Sequence, residues 1–291
     1  MKKKILCVVT LGIIIFIIYS LISFEQSQND LMVSYYNIQT DKLDEDIRIV
    51  QISDLHNSVF GEENELLIKE IIYQDPDIIL VTGDLLNSDD ENLEIAISLL
   101  KELVDICPVY VSLGNHEVDY IQNYDTDLVK LYGDTGAIVL DKEYIDININ
   151  NSELRIGGIY GYCLPDNYYD SMQYSIEESK YLNDLQSTDR YIILMCHMPA
   201  CWLLNNGLNE WNVDCVFAGH VHGGQIIFFN GSGLYAPDFG WFPGKLSGVF
   251  QSDDYSKSLI LSRGLGSNEK IPRYNNIPEI VVADIQGGKK E

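Results

Sequence analysis

The sequence predicts an α/β domain preceded by one membrane-spanning helix. Short apolar runs alternate with amphipathic helical patterns from residue 47 onward. The first three apolar runs and the two helical patterns between them follow a βαβαβ order, which implies a parallel sheet with right-handed crossovers. An uncharged stretch of 18 residues, 5–22, precedes this part of the chain. Such a stretch is long enough, as a helix, to cross a bilayer.

The N-terminus predicts a single-pass membrane anchor. Lys2, Lys3 and Lys4 come directly before the apolar stretch, which covers about 27 Å at the helical rise. Lysines of this kind remain in the cytoplasm, so the rest of the chain is expected on the extracytoplasmic side of the cell membrane. The alternative is a cleaved signal peptide, which usually has a shorter apolar region that ends in small residues. This region ends in "YSLISFEQS" instead.

The remainder of the chain divides into a polar segment and one folded domain. We expect an anchor over 1–23, a stalk over 24–46, where "QSQND" and "DKLDED" lie, and a domain over 47–291. The domain shows neither a repeat nor a separating linker. Helical patterns cover 62–74, 91–105 and about 175–185. The strands are predicted over 47–53, 77–83, 108–114, 137–140, 144–150, 154–161, 191–197, 214–219, 258–264 and 279–285.

Charge and cysteine content exclude some classes of function. A net charge of -25 argues against nucleic-acid binding, because that binding requires basic groups that neutralise phosphates. Five cysteines follow the anchor, and none forms a C-x-x-C pair, so a zinc knuckle is unsupported. Because their number is odd, at least one thiol is unpaired, and we expect no disulfide framework. These five are Cys107, Cys163, Cys196, Cys201 and Cys215.

Carboxylates, imidazoles and one amide recur where the predicted strands end. "QISDLH", "LVTGD", "SLGNHE", "LMCHMP" and "AGHVH" each place such a side chain directly after an apolar run. Open α/β sheets bind their ligands at the carboxyl ends of the strands. All five histidines of the chain belong to this set, which chance placement would not produce. The set comprises Asp54, His56, Asp84, Asn115, His116, His197, His220 and His222.

These side chains suit two divalent cations. A pair of ions about 3.5–4 Å apart can hold a phosphoryl group and activate water, and such ions accept nitrogen and oxygen ligands. Asp84 suits a bridging position, because its negative oxygen offsets the repulsion between the ions. We expect one ion at Asp54, His56 and His222 and the other at Asn115, His197 and His220, with His116 left free of metal. Mn²⁺, Zn²⁺, Fe and Mg²⁺ remain possible.

Together the motifs resemble those of the calcineurin-like metallophosphoesterases over about residues 47–285. Asp54-x-His56, Gly83-Asp84, Gly114-Asn115-His116-Glu117, His197 and Gly219-His220-x-His222 fill every metal-ligand position of that pattern. The resemblance implies a four-layer αββα sandwich of two mixed sheets. It also implies hydrolysis of a phosphate ester by metal-bound hydroxide, with His116 protonating or steadying the leaving oxygen. We expect a phosphodiester or a pyrophosphate, and a monoester is the alternative, because all three use the same metal core. The alternative is a non-catalytic scaffold that keeps this fold as a binding surface.

The C-terminal region is similar to a membrane-associated branch of that family. "GHVHGGQI" and "SRGLGSNEKIPRYNNIPEIVVADI" resemble the UDP-2,3-diacylglucosamine hydrolases and related phosphodiesterases. Arg263 and Arg273 match basic positions of the branch, which implies contact with the substrate phosphate; surface salt bridges are the alternative. Because those lipid A enzymes act on the cytoplasmic side, their substrate is not carried over to this chain.

An aromatic segment lies between the last histidine motif and the C-terminal strands. Residues 226–250 read "IIFFNGSGLYAPDFGWFPGKLSGVF". One interpretation is a hydrophobic cover beside the site. The other is a membrane-dipping or lipid-binding role, which would suit a lipid or lipid-linked phosphate as substrate.

Overall fold

The domain is built around two six-stranded mixed sheets. The computed structural model describes residues 2–161, 176–268 and 270–288. The strand order of the first sheet is β1 (Met32–Thr40), β14 (Glu279–Gly287), β2 (Ile47–Ile52), β3 (Ile78–Thr82), β4 (Val109–Ser112) and β5 (Ile138–Val139). In this sheet β14 is antiparallel to β2 and parallel to β1, and β2 to β5 run parallel.

The second sheet has parallel central strands and antiparallel edges. The order of this sheet is β12 (Gly248–Gln251), β13 (Ser258–Leu261), β9 (Cys215–Ala218), β8 (Tyr191–Cys196), β7 (Ser152–Ile159) and β6 (Glu143–Ile149). The four central strands are parallel, whereas β12 and β6 pair antiparallel with their neighbours. A small hairpin joins β10 (Tyr235–Ala236) to β11 (Gly240–Trp241).

Helices cover the outer faces of both sheets and complete four layers. Side chains alternate along β8: Ile193 faces the other sheet, and Ile192 faces the outer helices. The resulting αββα sandwich confirms the predicted fold. The helices of the described residues are α1 (Lys2–Asn29), α2 (Glu65–Gln74), α3 (Glu94–Val104), α4 (Asn115–Tyr124), α5 (Leu128–Gly133), α6 (Ile176–Leu185), α7 (Ala200–Leu203) and α8 (Gly207–Glu210), with 3-10 turns at Glu62–Asn64 and His222–Gly224.

The N-terminal region differs from the predicted stalk. Helix α1 is long and apolar enough to cross a membrane, and it continues past the predicted anchor to Asn29. Strand β1 then pairs with β14 over nine residues, and Leu43 is buried in the core between the sheets. Residues 32–43 therefore belong to the folded domain, because backbone pairing with β14 and burial of Leu43 hold them there.

The cysteines also differ in part from expectation. Cys196 and Cys215 are buried, as expected of small core residues, and Cys107 and Cys215 are free thiols. Cys201, however, is disulfide-bonded. The expectation of no disulfide framework is therefore wrong at Cys201. Cys163 lies outside the described residues.

Candidate metal centre

The eight side chains at the strand ends come together at one edge of the sandwich. Asp54 and His56 follow β2, Asp84 follows β3, and Asn115 begins α4 just after β4. From the second sheet, His197 follows β8, and the chain after β9 carries His220 and His222. Parallel strands deliver their carboxyl ends to the same edge, which explains why residues so distant in sequence meet.

The backbone turns sharply at most of these positions. Five of the residues have left-handed φ angles: Asp54 (53°), His56 (49°), Asp84 (56°), His220 (72°) and His222 (46°). Such angles are uncommon for residues other than glycine and carry a local energetic cost. Their concentration here indicates that the fold accepts strain in order to aim these side chains inward.

Two glycines let the site close tightly. A Cβ on Gly219 would overlap Asp54 Oδ2 and Ser53 Oγ, and a Cβ on Gly114 would overlap Asp84 Oδ1. The glycines of the "AGH" and "LGNH" motifs therefore leave room for the two carboxylates. Substitution at either position would push a carboxylate out of place.

Among the residues that the structure describes, potential metal ligands form three overlapping groups whose ligand atoms lie within 4.8 Å of one another. Asp84 belongs to two of them, and His56 also belongs to two. Asn115 joins the last group, because its Oδ1 lies 3.2 Å from His197 Nε2. The groups are Asp54 with His56 and His222, Asp84 with His56 and His116, and Asp84 with His197 and His220.

The donor atoms fit divalent cations. Asp54 Oδ2 and His56 Nε2 are buried and have no hydrogen-bond partner among the described residues. A buried polar atom without a partner is costly, and a cation would satisfy both atoms. A set of carboxylates, imidazoles and one amide suits Mn²⁺, Zn²⁺, Fe or Mg²⁺. The residues present therefore fit the metal ions that the sequence predicts.

Three of the histidines are oriented alike by their Nδ1 atoms. His197 Nδ1 lies 2.7 Å from the Thr82 carbonyl, and His222 Nδ1 lies 3.2 Å from the Gly266 carbonyl. His56 Nδ1 lies 3.0 Å from Asn87 Oδ1. Because these oxygens only accept hydrogen bonds, each Nδ1 carries a proton and donates. Nε2 of each ring is then free to bind a metal ion.

His116 has the opposite arrangement. The Ser88 backbone N–H donates to His116 Nδ1 at 3.1 Å, so the neutral ring carries its proton on Nε2. The His116 backbone N–H in turn donates to Asp84 Oδ1 at 2.9 Å. His116 thus lies beside the metal ligands with an Nε2 N–H that can donate a hydrogen bond.

Neighbouring charges at the centre shift one another's pKa values. Burial opposes ionisation of Asp84, yet the nearby His197 and His56 hold the pKa of Asp84 well below its usual range. Burial likewise opposes a charge on His197, but Asp84, 3.1 Å away, raises the pKa of His197 to about 10. Burial lowers the pKa of His222 to about 3. A cation bound at Asp84 would therefore displace a proton from His197.

Glu117 holds the loops that carry these ligands. Its carboxylate accepts from the backbone N–H groups of Asp84 (2.7 Å), Leu85 (2.8 Å) and Gly114 (2.8 Å). The Tyr132 hydroxyl also donates to it at 3.3 Å. Burial raises the pKa of Glu117, while the N–H donors favour its ionised form. Glu117 lies in the first turn of α4, and it also joins the loops after β3 and β4.

The two arginines lie beside the centre in different environments. Arg273 is buried, and its guanidinium donates to the Gly266 carbonyl from Nε (3.1 Å) and Nη2 (2.6 Å) and to the Arg263 carbonyl from Nη2 (2.6 Å). Arg263 is partly exposed, and its Nε lies 3.9 Å from Glu279 Oε1. Contact of either arginine with a substrate phosphate stays a prediction.

Sequence reasoning missed one acidic residue of the centre. Asp238 lies between β10 and β11, and its Oδ2 is 3.3 Å from His220 Nε2. No strand end or spacing marks it, because it lies in the aromatic segment. Its neighbour in sequence, Phe239, packs against the core of the second sheet.

Comparison with known proteins identifies similar chains. Residues 47–224 match the family model described as calcineurin-like phosphoesterase. An uncharacterized metallophosphoesterase of Aquifex aeolicus (strain VF5) is 29% identical over 269 residues, or 88% of this chain and 92% of that one. A Bos taurus protein, named transmembrane protein with metallophosphoesterase domain, is 23% identical over 63% of this chain and 42% of its own length.

Among solved structures, the 5'-nucleotidase precursor from Thermus thermophilus is similar. It has a TM-score of 0.48 and 13% identity over 83% of this chain and 54% of that chain. The narrower resemblance to UDP-2,3-diacylglucosamine hydrolases stays a prediction.

Proposed function

The chain belongs to the calcineurin-like phosphoesterase family, and we propose that it uses two divalent ions to hydrolyse phosphodiester or pyrophosphate bonds. Metal-dependent hydrolysis of phosphoesters is the activity of the family. The proposal adds the number of ions and the kind of ester to this family activity. The proposed ions, when bound, would polarise the phosphoryl oxygens and lower the pKa of a water molecule.

The position of Asp84 carries the proposal. Its Oδ2 lies 3.1 Å from His197 Nε2 and 3.7 Å from His56 Nε2, between histidines that come from different sheets. A carboxylate so placed suits a bridge between two ions. The first ion would be held by Asp84 with Asp54, His56 and His222, and the second by Asp84 with Asn115, His197 and His220.

His116 would act on the leaving group. The Ser88 N–H occupies its Nδ1, so Nε2 carries the proton. As the oxygen of water bonds to phosphorus, the bond from phosphorus to the leaving oxygen breaks, and the Nε2 N–H of the neutral ring donates a hydrogen bond that steadies the charge on that oxygen. The proton lost by the water passes to the leaving oxygen or to solvent, so the His116 ring starts and ends the cycle neutral.

The hydrolase is proposed to stay anchored, with its domain outside the cell membrane. Helix α1 contacts the domain through hydrogen bonds of Tyr19, Ser20, Ser27 and Gln28. Cleavage near residue 22 would separate the contacts of Tyr19 and Ser20 from those of Ser27 and Gln28. Lys2 to Lys4 favour a cytoplasmic N-terminus. The disulfide at Cys201 is typical of an oxidising compartment and supports the same topology.

Hydrolysis of bis(p-nitrophenyl) phosphate by the Mn²⁺-loaded full chain tests the function. We expect activity in the wild type and almost none in Asp84→Asn, because the amide oxygen cannot bridge two cations as a charged carboxylate does. The exposed Asp189→Asn is the matched control and should retain activity. Full activity of Asp84→Asn would overturn the bridging assignment. Binding well below about one ion per chain after reconstitution would favour the scaffold alternative.

Labelling of lysines in intact cells tests the topology. The ammonium groups of Lys69 and Lys130 are exposed (side-chain exposure 67% for each) and should react with a membrane-impermeant acylating reagent. Lys2 to Lys4 should react only after lysis. Protection of Lys69 and Lys130 until lysis would reverse the topology, and a soluble chain that starts after residue 22 would indicate a cleaved signal.

A further inference from the structure

The segment between His222 and β12 exposes large aromatic side chains. We call residues 226–250 the aromatic loop. Phe229, Trp241 and Phe242 have exposed fractions of 83%, 62% and 65%. Their rings lie together: Phe242 is 6.0 Å from Phe228 and 6.5 Å from Trp241 between ring centroids. A contiguous aromatic surface of this kind is unfavourable in water and indicates a partner.

The aromatic loop lies against α1 near the end of the apolar stretch 5–22. The rings of Phe229 and Tyr19 are 5.8 Å apart between centroids. Two hydrogen bonds fix where along α1 this contact lies. The Tyr19 hydroxyl donates to Asn275 Oδ1, and the Tyr274 hydroxyl donates to Ser20 Oγ, each at 3.1 Å. Because Tyr19 and Ser20 lie within the apolar stretch 5–22, these contacts place Phe229 beside the end of the membrane span.

The same loop is attached to the candidate metal centre. The Leu234 N–H donates to the carbonyl of Gly224, in the turn that begins with His222, at 3.0 Å. Asp238 reaches His220 Nε2 at 3.3 Å. The aromatic loop therefore contacts both the membrane-proximal part of α1 and the segments that carry His220 and His222.

We propose that the aromatic loop inserts into the leaflet that holds Tyr19 and Ser20 of α1, and that the substrate is a phosphate ester carried by a lipid in that leaflet. Aromatic side chains favour the boundary between acyl chains and headgroups. Continuity with α1 identifies the occupant of this surface as the bilayer. The lipid substrate rests on the proposed hydrolase function, whereas insertion of the loop does not.

Tryptophan fluorescence tests insertion directly. Trp202 and Trp211 are buried in the core and Trp241 is exposed, so quenching by lipids acts mainly on Trp241. The full chain in phosphatidylcholine nanodiscs should lose fluorescence when the lipids carry bromine near the top of the acyl chains. Trp241→Phe should abolish most of that loss. Equal quenching in the wild type and in Trp241→Phe would overturn insertion.

Two chromogenic esters that share one scissile bond test the substrate class. p-Nitrophenyl hexadecyl phosphate enters the bilayer and p-nitrophenyl ethyl phosphate does not. The Mn²⁺-loaded chain in nanodiscs should hydrolyse the hexadecyl ester with a kcat/KM at least about 10-fold higher, because its alkyl chain holds it in the bilayer. The double variant Phe229→Ser/Phe242→Ser should reduce that ratio. Tyr73→Ser/Tyr255→Ser, at other exposed aromatic positions, should preserve it.

The outcomes separate this inference from the proposed function. Equal kcat/KM for the two esters would overturn the lipid substrate and leave the hydrolase intact. Failure to hydrolyse either ester, together with failure on bis(p-nitrophenyl) phosphate, would contradict the diesterase activity. The quenching result would still decide whether the loop inserts.

Discussion

His197 and His222 contribute similar imidazoles to the candidate centre, but different parts of the molecule hold them. His197 directly follows β8, is fully buried, and donates from Nδ1 to the carbonyl of Thr82 in the facing sheet. His222 lies in a 3-10 turn with a left-handed φ and donates to the Gly266 carbonyl. The first histidine is held by central strands and the second by a loop.

The loop that holds His222 is itself held from outside the sandwich. Arg273 donates twice to the Gly266 carbonyl, and Asn276 Nδ2 donates to the His222 carbonyl at 2.7 Å. Helix α1 binds these same residues: Ser27 Oγ accepts from the Asn276 N–H at 3.0 Å, and Gln28 Nε2 donates to the Arg273 carbonyl at 2.8 Å. One side of the centre thus depends on the core, and the other depends on contacts with the anchor helix.

The largest effect is expected from breaking the side that the core holds. Glu117→Ala would leave the N–H groups of Asp84, Leu85 and Gly114 without their acceptor. Each buried donor left unpaired costs about 1–3 kcal/mol, so the free energy of unfolding should fall by at least about 3 kcal/mol. Denaturant unfolding of the metal-free chain measures this change, and activity should fall with it.

Glu102→Ala is the matched control for that experiment. Glu102 is exposed on α3, and its removal should change the free energy of unfolding by less than about 0.5 kcal/mol. A Glu117→Ala variant as stable as this control would show that the loops after β3 and β4 do not depend on the carboxylate.

On both sides of the centre, the side chains that meet there are predictable from the sequence, whereas the groups that orient them are not. Asp54, Asp84 and His197 were predictable, because apolar runs mark strands and parallel strands share one carboxyl edge. The groups that orient the rings were not predictable, because the carbonyls of Thr82 and Gly266 exist at every residue and carry no sequence signal. Asp238 also escaped prediction, because only the folded aromatic loop brings it to His220.

The same reasoning explains the fold. Most strands, including β2, β3 and β8, were predicted to within a few residues, since their residues are mostly apolar and almost entirely buried. The sequence predicts a stalk where the structure has β1. Strand β1 is an edge strand, paired only with β14, and its residues are largely half-buried or exposed. Its sequence therefore lacks a continuous apolar run, and its partner lies more than two hundred residues away in the chain.

A smaller and more selective effect is expected on the side held by the loop. Arg273→Met keeps an apolar stem in place of the buried guanidinium and removes the donors that fix the Gly266 carbonyl. His222 would lose its orientation, and affinity for the ion that it shares with Asp54 should fall about 10–100-fold. Titration of the metal-free chain with Mn²⁺ should show only one of the two binding steps weakened, because the ligands around His197 are held by the core.

Three further measurements decide what Arg273 does. Arg273→Lys should recover part of the affinity, since a lysine restores a charge and a donor without the planar fork of arginine. Arg190→Met, which removes partly exposed ion pairs with Asp146 and Glu153 and a hydrogen bond to Asn148, should bind Mn²⁺ like the wild type. If Arg273→Met instead raises KM for bis(p-nitrophenyl) phosphate and leaves both Mn²⁺ steps unchanged, Arg273 contacts the substrate phosphate and the orientation of His222 does not depend on it. Loss of both Mn²⁺ steps at once would show that the two sides of the centre are held as one unit, contrary to the division between core and loop.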